Sequence, residues 1–201
     1  MTSRPPAPCA VTLVGQSGIA TAGDLRRKSI HHEQVRRLVE SGQLVRVARG
    51  LYSPPRVDLG EHASLALAAK AVPRGVICLL SALRFHGIGT QLPFETWVAV
   101  RRGDAIPRAL PPGIRIIRVA APAFEDGQNE VAVQQIRVRV YDPAKTVADC
   151  FKFRNAVGLD AALEALREAL RLKLATRDAI WQHAQVCRVA QVLRPYLEAT
   201  A

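Results

Sequence analysis

The sequence is poor in the residues that staple, cross a membrane or hold metal. Only four cysteines occur, Cys9, Cys78, Cys150 and Cys187, separated by 69, 72 and 37 residues with no C-x-x-C and no companion histidines at ligand spacing. That excludes a disulfide scaffold and a zinc ribbon, and leaves buried free thiols in a reducing compartment as the expectation. Long apolar runs are missing too. The longest, LALAAKAV and VICLLSAL, are too short to span a bilayer, and MTSRPPAPCA lacks the apolar core of a secretory signal, so a cytoplasmic protein without membrane contact is expected. There is no Gly-Ser leading into a D-x-D, no P-loop, and Asp104, Glu125, Asp126, Asp142 and Asp149 are scattered. Metal-dependent phosphoryl chemistry wants clustered carboxylates, so no catalytic residue, metal or cofactor is assigned. With 49% hydrophobic and 22% charged residues in 201, the chain has the makings of a conventional core.

Acidic residues are also in short supply. Against 17 of them stand 28 cations, giving +11, and arginine supplies 23 of the 28. A planar guanidinium suits bidentate contacts to phosphate and guanine, so a polyanion is the leading class of partner. The charge is uneven. Up to Pro55 the chain carries 8 cations and 3 anions, net +5, whereas the remaining 146 residues carry 20 and 14, net +6.

Patterning and punctuation divide the chain into two domains, 1–55 and 56–201. In the first, Thr21 with Asp24 forms a capping box that opens a helix carrying Leu25. Ser29 is a candidate N-cap for a second helix running to about Ser41, with Val35, Leu38 and Val39 on one stripe and Gly42 at its exit. Leu44, Val45, Val47, Leu51 and Tyr52 then bracket Ala48-Arg49-Gly50 as a tight hairpin. Helix, turn, helix, hairpin is the order of a winged helix-turn-helix, in which the second helix enters the major groove and the wing follows the backbone. This places His31, His32, Gln34 and Arg37 near base edges and Arg36, Arg46 and Arg49 near phosphate. A small helical module with a solvated basic face is the alternative for the same residues.

The second domain opens on SPPRVD, where Asp58 with Glu61 caps a helix that Pro73 stops. VICLLSALRFHGIG reads as a short strand, then a helix whose last turn holds His86, a packed or capping histidine rather than a catalytic base. From Glu95 to Tyr141 the texture is of strands, TWVAV, IRIIRV and EVAVQQIRVRVY. Period 2 sets Arg137 and Arg139 on one face and Ile136, Val138 and Val140 on the other; Arg101, Arg102, Arg115 and Arg118 lie on or beside neighbouring strands and extend a possible basic surface. Asp142-Pro143 starts a helix in which Lys145 and Asp149, at i and i+4, can form a structural ion pair. Two helices follow, one with Leu159, Leu163, Leu166 and Leu170 on a stripe, the other capped by Thr176, running through Trp181, Val186, Val189 and Val192 and ending before Pro195. The expected fold class is α/β (α+β): an N-terminal winged helix-turn-helix joined to a C-terminal domain of mixed helices and antiparallel strands.

The succession GIATAGDL, HHEQVRRLVESGQLVRVARGLY, LLSALRFHGIGTQLPFETWVAV and YDPAKTVADCF resembles the AbiEi family of type IV toxin–antitoxin antitoxins along nearly the whole chain. AVTLVGQSG, with two glycines, departs from a firm first helix. The resemblance implies a cytoplasmic repressor that binds inverted repeats in double-stranded operator DNA, is not an enzyme, and counters a nucleotidyltransferase-like toxin without requiring a stable complex. It implies Arg36, Arg37, Arg46 and Arg49 in the DNA reader, and Ser81, His86, Lys145, Thr146 and Asp149 as scaffold. A stand-alone winged-helix regulator sensing a ligand or partner, and a nucleic-acid-processing enzyme, are the competing readings.

Overall fold

The computed structural model describes residues 11, 14–15, 18–55, 62–133 and 135–200. They group into two compact units. One runs to Pro73 and includes Pro107–Pro112 and Ala132–Arg137; the other comprises Arg74–Ile106, Gly113–Val131 and the chain from Val138 on.

In the first unit, β1 (Ala20–Thr21) leads into α1 (Ala22–Arg27), α2 (His32–Glu40), β2 (Val45–Ala48), β3 (Leu51–Ser53) and α3 (Ala63–Ala71). The capping box forms as expected: Thr21 Oγ1 accepts the Asp24 N–H at 2.9 Å and Asp24 Oδ2 accepts the Thr21 N–H at 3.0 Å. Ser29, however, is not an N-cap. It sits at φ +62 and closes α1, its N–H bonding Arg26 O at 2.9 Å while the Ile30 N–H bonds Leu25 O at 3.0 Å. That is a Schellman closure with serine in the left-handed position, sealed by the buried side chains of Leu25 and Ile30. The N-cap of α2 is His31, two residues later. Gly42 (φ +71) ends α2 in the same manner, with the Gln43 N–H on Leu38 O at 2.9 Å. Val35, Leu44, Leu25, Ile30, Ala20, Val14 and Tyr52 form one small core, with Leu38 and Val39 packed against it. β3 is the middle strand of an antiparallel three-stranded sheet, pairing Ala20 with Tyr52 on one side and Arg46 with Tyr52 on the other. The expected cap at Asp58 and Glu61 lies outside the described residues; α3 ends at Val72, before Pro73, as its sequence indicates.

The second unit carries β4 (Val76–Ile77), α4 (Leu79–Phe85), β5 (Thr96–Arg101), β6 (Ile114–Val119), α5 (Ala121–Glu125), β7 (Gln128–Val133), β8 (Ile136–Tyr141), α6 (Pro143–Lys152), α7 (Arg154–Val157), α8 (Leu159–Arg171), α9 (Arg177–Val186) and α10 (Ala190–Ala199). The mixed α/β class is as expected, but the sheet, in order β6-β5-β4-β8-β7, is itself mixed: β5 pairs β6 and β4 pairs β8 in parallel, while β4 pairs β5 antiparallel. Parallel neighbours are buried on both faces, and Thr96 to Val100 is accordingly a continuous buried run rather than an alternation. α6 is buried from Ala144 to Phe151. On α8 the buried stripe is Ala161, Ala162, Ala165, Leu166 and Ala169, with Leu163 and Leu170 flanking and Leu159 38% exposed. The leucine stripe is therefore corrected to an alanine one, since small side chains let a helix approach its neighbour closely. The Thr176-capped segment divides into α9 and α10, and Pro195 lies inside α10 rather than beyond it. Both Gln191 and Pro195 are exposed, so water can satisfy the carbonyl that proline leaves unbonded. No helix among the described residues is long and apolar enough to cross a membrane.

Candidate nucleic-acid interface

α2 presents a polar face because its three apolar residues are spent on the core. His31, His32, Gln34, Arg36 and Arg37 are all exposed. Arg36 reaches Glu33 at 3.1 Å and Glu40 at 3.4 Å, and Arg37 reaches Glu33 at 3.8 Å. Gln34 turns its Oε1 back onto the His31 backbone N–H at 2.9 Å, so one of the expected base readers is engaged in capping its own helix. Two arginines facing two glutamates make α2 formally neutral; the positive charge is on its flanks. β2 and β3 form the expected hairpin, turning at Arg49 and Gly50 (φ +75), with Arg46, Arg49, Val45 and Val47 exposed along β2 and the turn.

Arg26, Arg27 and Lys28, at the end of α1, are exposed. Sequence reasoning passed over them, although a run of three cations in the turn before α2 was visible. Asp24 anchors this corner: it accepts from Thr21, pairs Arg27 at 2.5 Å and Lys70 of α3 at 3.0 Å. Partial burial works against its ionisation, but the Thr21 N–H and the Lys70 ammonium outweigh that and bring its pKa to about 2.

Residues 11–55 match a family model described as transcriptional regulator, AbiEi antitoxin. The matched stretch coincides with the helix, turn, helix and hairpin just described. No curated protein matches the chain. Among solved structures, the crystal structure of the Rv2827c protein from Mycobacterium tuberculosis is similar in fold, with a TM-score of 0.60 at 13% identity over 99% of this chain and 82% of that one.

Outside the matched stretch, the arginines of the sheet are distributed. Arg101, Arg102 and Arg137 are exposed and Arg139 is half-buried. Arg101 lies 3.7 Å from Glu125. The strands carrying Arg101 and Arg139 are separated by β4, so these arginines share a sheet without being strand neighbours.

Of the expected scaffold residues, His86, Lys145, Thr146 and Asp149 gather around Tyr141, and Ser81 holds β5. Ser81 Oγ accepts the Trp97 N–H at 2.9 Å, His86 Nε2 donates to Tyr141 O at 2.7 Å, and Thr146 Oγ1 donates to the same carbonyl at 3.3 Å. Burial lowers the His86 pKa. Lys145 and Asp149, 0% and 2% exposed, pair at 2.5 Å; the Lys145 ammonium also lies over the Tyr141 ring at 4.1 Å, and Cys187 Sγ donates to Asp149 at 3.3 Å. Burial opposes the lysine's charge, yet the Asp149 carboxylate outweighs it and raises the Lys145 pKa. Burial raises the Asp149 carboxyl. Burial also pushes the Cys187 thiol up to about 12, far from a reactive thiolate. Sequence reasoning missed His183, which bonds Asp126 at 2.6 Å and lies 3.5 Å from Asp142, joining carboxylates that look scattered along the chain. Among the described residues no group of three or more His, Cys, Asp or Glu could hold a metal ion.

Proposed function

We propose that the protein is a DNA-binding transcriptional repressor of its own operon and the antitoxin of a type IV system that counters a nucleotidyltransferase-like toxin. In this reading residues 1–55 are the DNA reader and 56–201 the antitoxin domain, acting in the cytoplasm. The observation that carries it is the exposed polar face of α2 followed at once by the Arg46–Arg49 hairpin, in the stretch that matches the AbiEi regulator model. His31, His32, Gln34 and Arg37 would contact base edges; Arg36, Arg46 and Arg49, joined by Arg26, Arg27 and Lys28, would contact phosphate. Arg101, Arg102, Arg137 and Arg139 would add a secondary basic surface.

The test is a mobility-shift titration on the upstream region of the gene against a scrambled duplex, at two salt concentrations. Sequence-preferring binding that weakens steeply with salt is expected, and Arg37→Ala should lose about tenfold or more while relaxing sequence preference. Arg49→Ala should weaken both duplexes alike and flatten the salt dependence. Wild-type binding by both variants would overturn the groove assignment. Co-expression with a nucleotidyltransferase-like toxin tests the other half: restored growth supports the antitoxin, and undiminished toxicity excludes it.

A further inference from the structure

β6 is an edge strand, and no strand among the described residues pairs with its outer side. Its register with β5, Thr96 opposite Ile114 through Arg101 opposite Val119, is framed by two bonds, the Thr96 N–H on Gly113 O and the Arg102 N–H on Val119 O, both 2.7 Å. In a parallel ladder of that phase the N–H groups of Arg115, Ile117 and Val119 turn toward β5, and the N–H and C=O groups of Ile114, Ile116 and Arg118 turn away. Among the described residues β5 is the one strand that pairs with it. Six residues is a long edge to leave unpaired, and three of them, Ile114, Ile116 and Ile117, are half-buried isoleucines. Of the devices by which natural sheets blunt such edges, β6 has no proline and is not short; it carries charge, in Arg115 and Arg118, which discourages pairing with another basic strand and leaves an acidic one admissible.

The surroundings select the occupant. The two most exposed large apolar residues of the described chain, Phe94 at 104% and Leu92 at 70%, lie just before Thr96, at the end of the sheet where β6 begins. Arg115 and Arg118 project from opposite faces of the edge, and Arg101 and Arg102 stand at its far end, opposite and beyond Val119. Arg115 is fixed in place, its guanidinium 4.2 Å over the Trp97 ring. The local acids, Glu95 at 3.6 Å from Arg115 and Glu125 at 3.7 Å from Arg101, leave Arg102 and Arg118 without a carboxylate partner among the described residues, Arg118 donating to the Asp104 carbonyl at 3.2 Å. We infer that the outer edge of β6 docks an extended, acidic segment of a protein partner, added to the sheet as a further strand. Its backbone would bond Ile114, Ile116 and Arg118, its carboxylates would meet Arg115 and Arg118, and an apolar residue would cover Phe94.

A fluorescent peptide alternating valine and glutamate, compared by anisotropy with its lysine-for-glutamate counterpart, tests this on the full chain. The glutamate peptide should bind and the lysine peptide should not. Ile116→Pro removes an outward N–H that the β5 ladder does not use, so it should leave the melting temperature close to wild type and weaken binding by about tenfold or more, the equivalent of one hydrogen bond. Should that variant fail to fold, Arg115→Glu with Arg118→Glu carries the test, by reversing the preference toward the lysine peptide. Four outcomes overturn the inference: no binding of the glutamate peptide, equal binding of both peptides, dimerisation in light scattering that Ile116→Pro abolishes, or oligonucleotide binding that Ile116→Pro abolishes. The first two would mean no acidic strand docks there, the third that a second copy covers the edge, the fourth that it serves nucleic acid.

Discussion

α2 and α6 use the same device, a cation and a carboxylate one helical turn apart, for opposite ends. On α2, Arg36 and Glu40 are 59% and 62% exposed, and the pair can be exchanged for a contact to another molecule at little loss. On α6, Lys145 and Asp149 are sealed from solvent, and neither can lose its partner without leaving a charge stranded in the core. The i, i+4 spacing is identical. What differs is the company: α2 has core on one stripe only, whereas α6 is enclosed on all sides. Charge on the first helix is thus available to a partner, and charge on the second is fastened to the fold.

That contrast can be broken at its buried end with the largest effect. Lys145→Met should destabilise the protein by about 3–5 kcal/mol in urea titrations, whereas Lys145→Met with Asp149→Leu should recover most of the loss. Because burial already raises the Asp149 pKa, the single variant's deficit should shrink as pH is lowered and the carboxyl takes up a proton. A deficit that does not change with pH would mean that Asp149 is not stranded as a charge. Asp24, with its side chain 27% exposed, is the intermediate case. Its depressed pKa stabilises the fold above about pH 4, and that contribution, about 1 kcal/mol after allowance for solvent, should disappear as pH falls from about 4 toward 2. Asp24→Asn should remove this pH dependence from the melting curve. At the exposed end, Glu33→Gln should change stability by less than about 0.5 kcal/mol. It should nevertheless tighten DNA binding several-fold, roughly 1 kcal/mol, with a steeper salt slope, by releasing Arg36 and Arg37. Unchanged affinity would show that those arginines do not face DNA.

How far the sequence foretells this molecule depends on how far apart the interacting residues are along the chain. The Thr21–Asp24 box, the Asp142–Pro143 start, the Gly42 exit and the alternation of Ile136 to Val140 are local, and each is present as read. Serine in the left-handed position is costly and therefore unexpected, which is why Ser29 reads as an N-cap when it closes the helix before. Strand direction was illegible because a period of 2 does not distinguish parallel from antiparallel neighbours. The exposure of His32, Gln34, Arg36 and Arg37 follows from helical periodicity, whereas on β2 Val45 and Val47 are exposed together with Arg46 and no alternation marks it; the turn of Gln34 onto its own cap depends on a side-chain torsion that periodicity does not set. The meeting of His183 with Asp126, 57 residues away, carries no sequence signal.

The two-residue strand β4 has a further bearing on how the second unit is assembled. β5 and β8 are not neighbours in the sheet; Val76 and Ile77 join them, through Ala99 and Val98 on one side and Val140 on the other. Without that seam the sheet would fall into two ribbons, β6–β5 and β8–β7, each too small to persist in water. Ile77 and Val140 are 63 positions apart, so folding of this unit must wait for a contact of high loop-closure cost and should be slow for its size. The amides on either side of the seam, including Cys78, whose N–H bonds Trp97 O at 3.0 Å, should be among the last to exchange with deuterium, because exposing them requires the whole sheet to come apart.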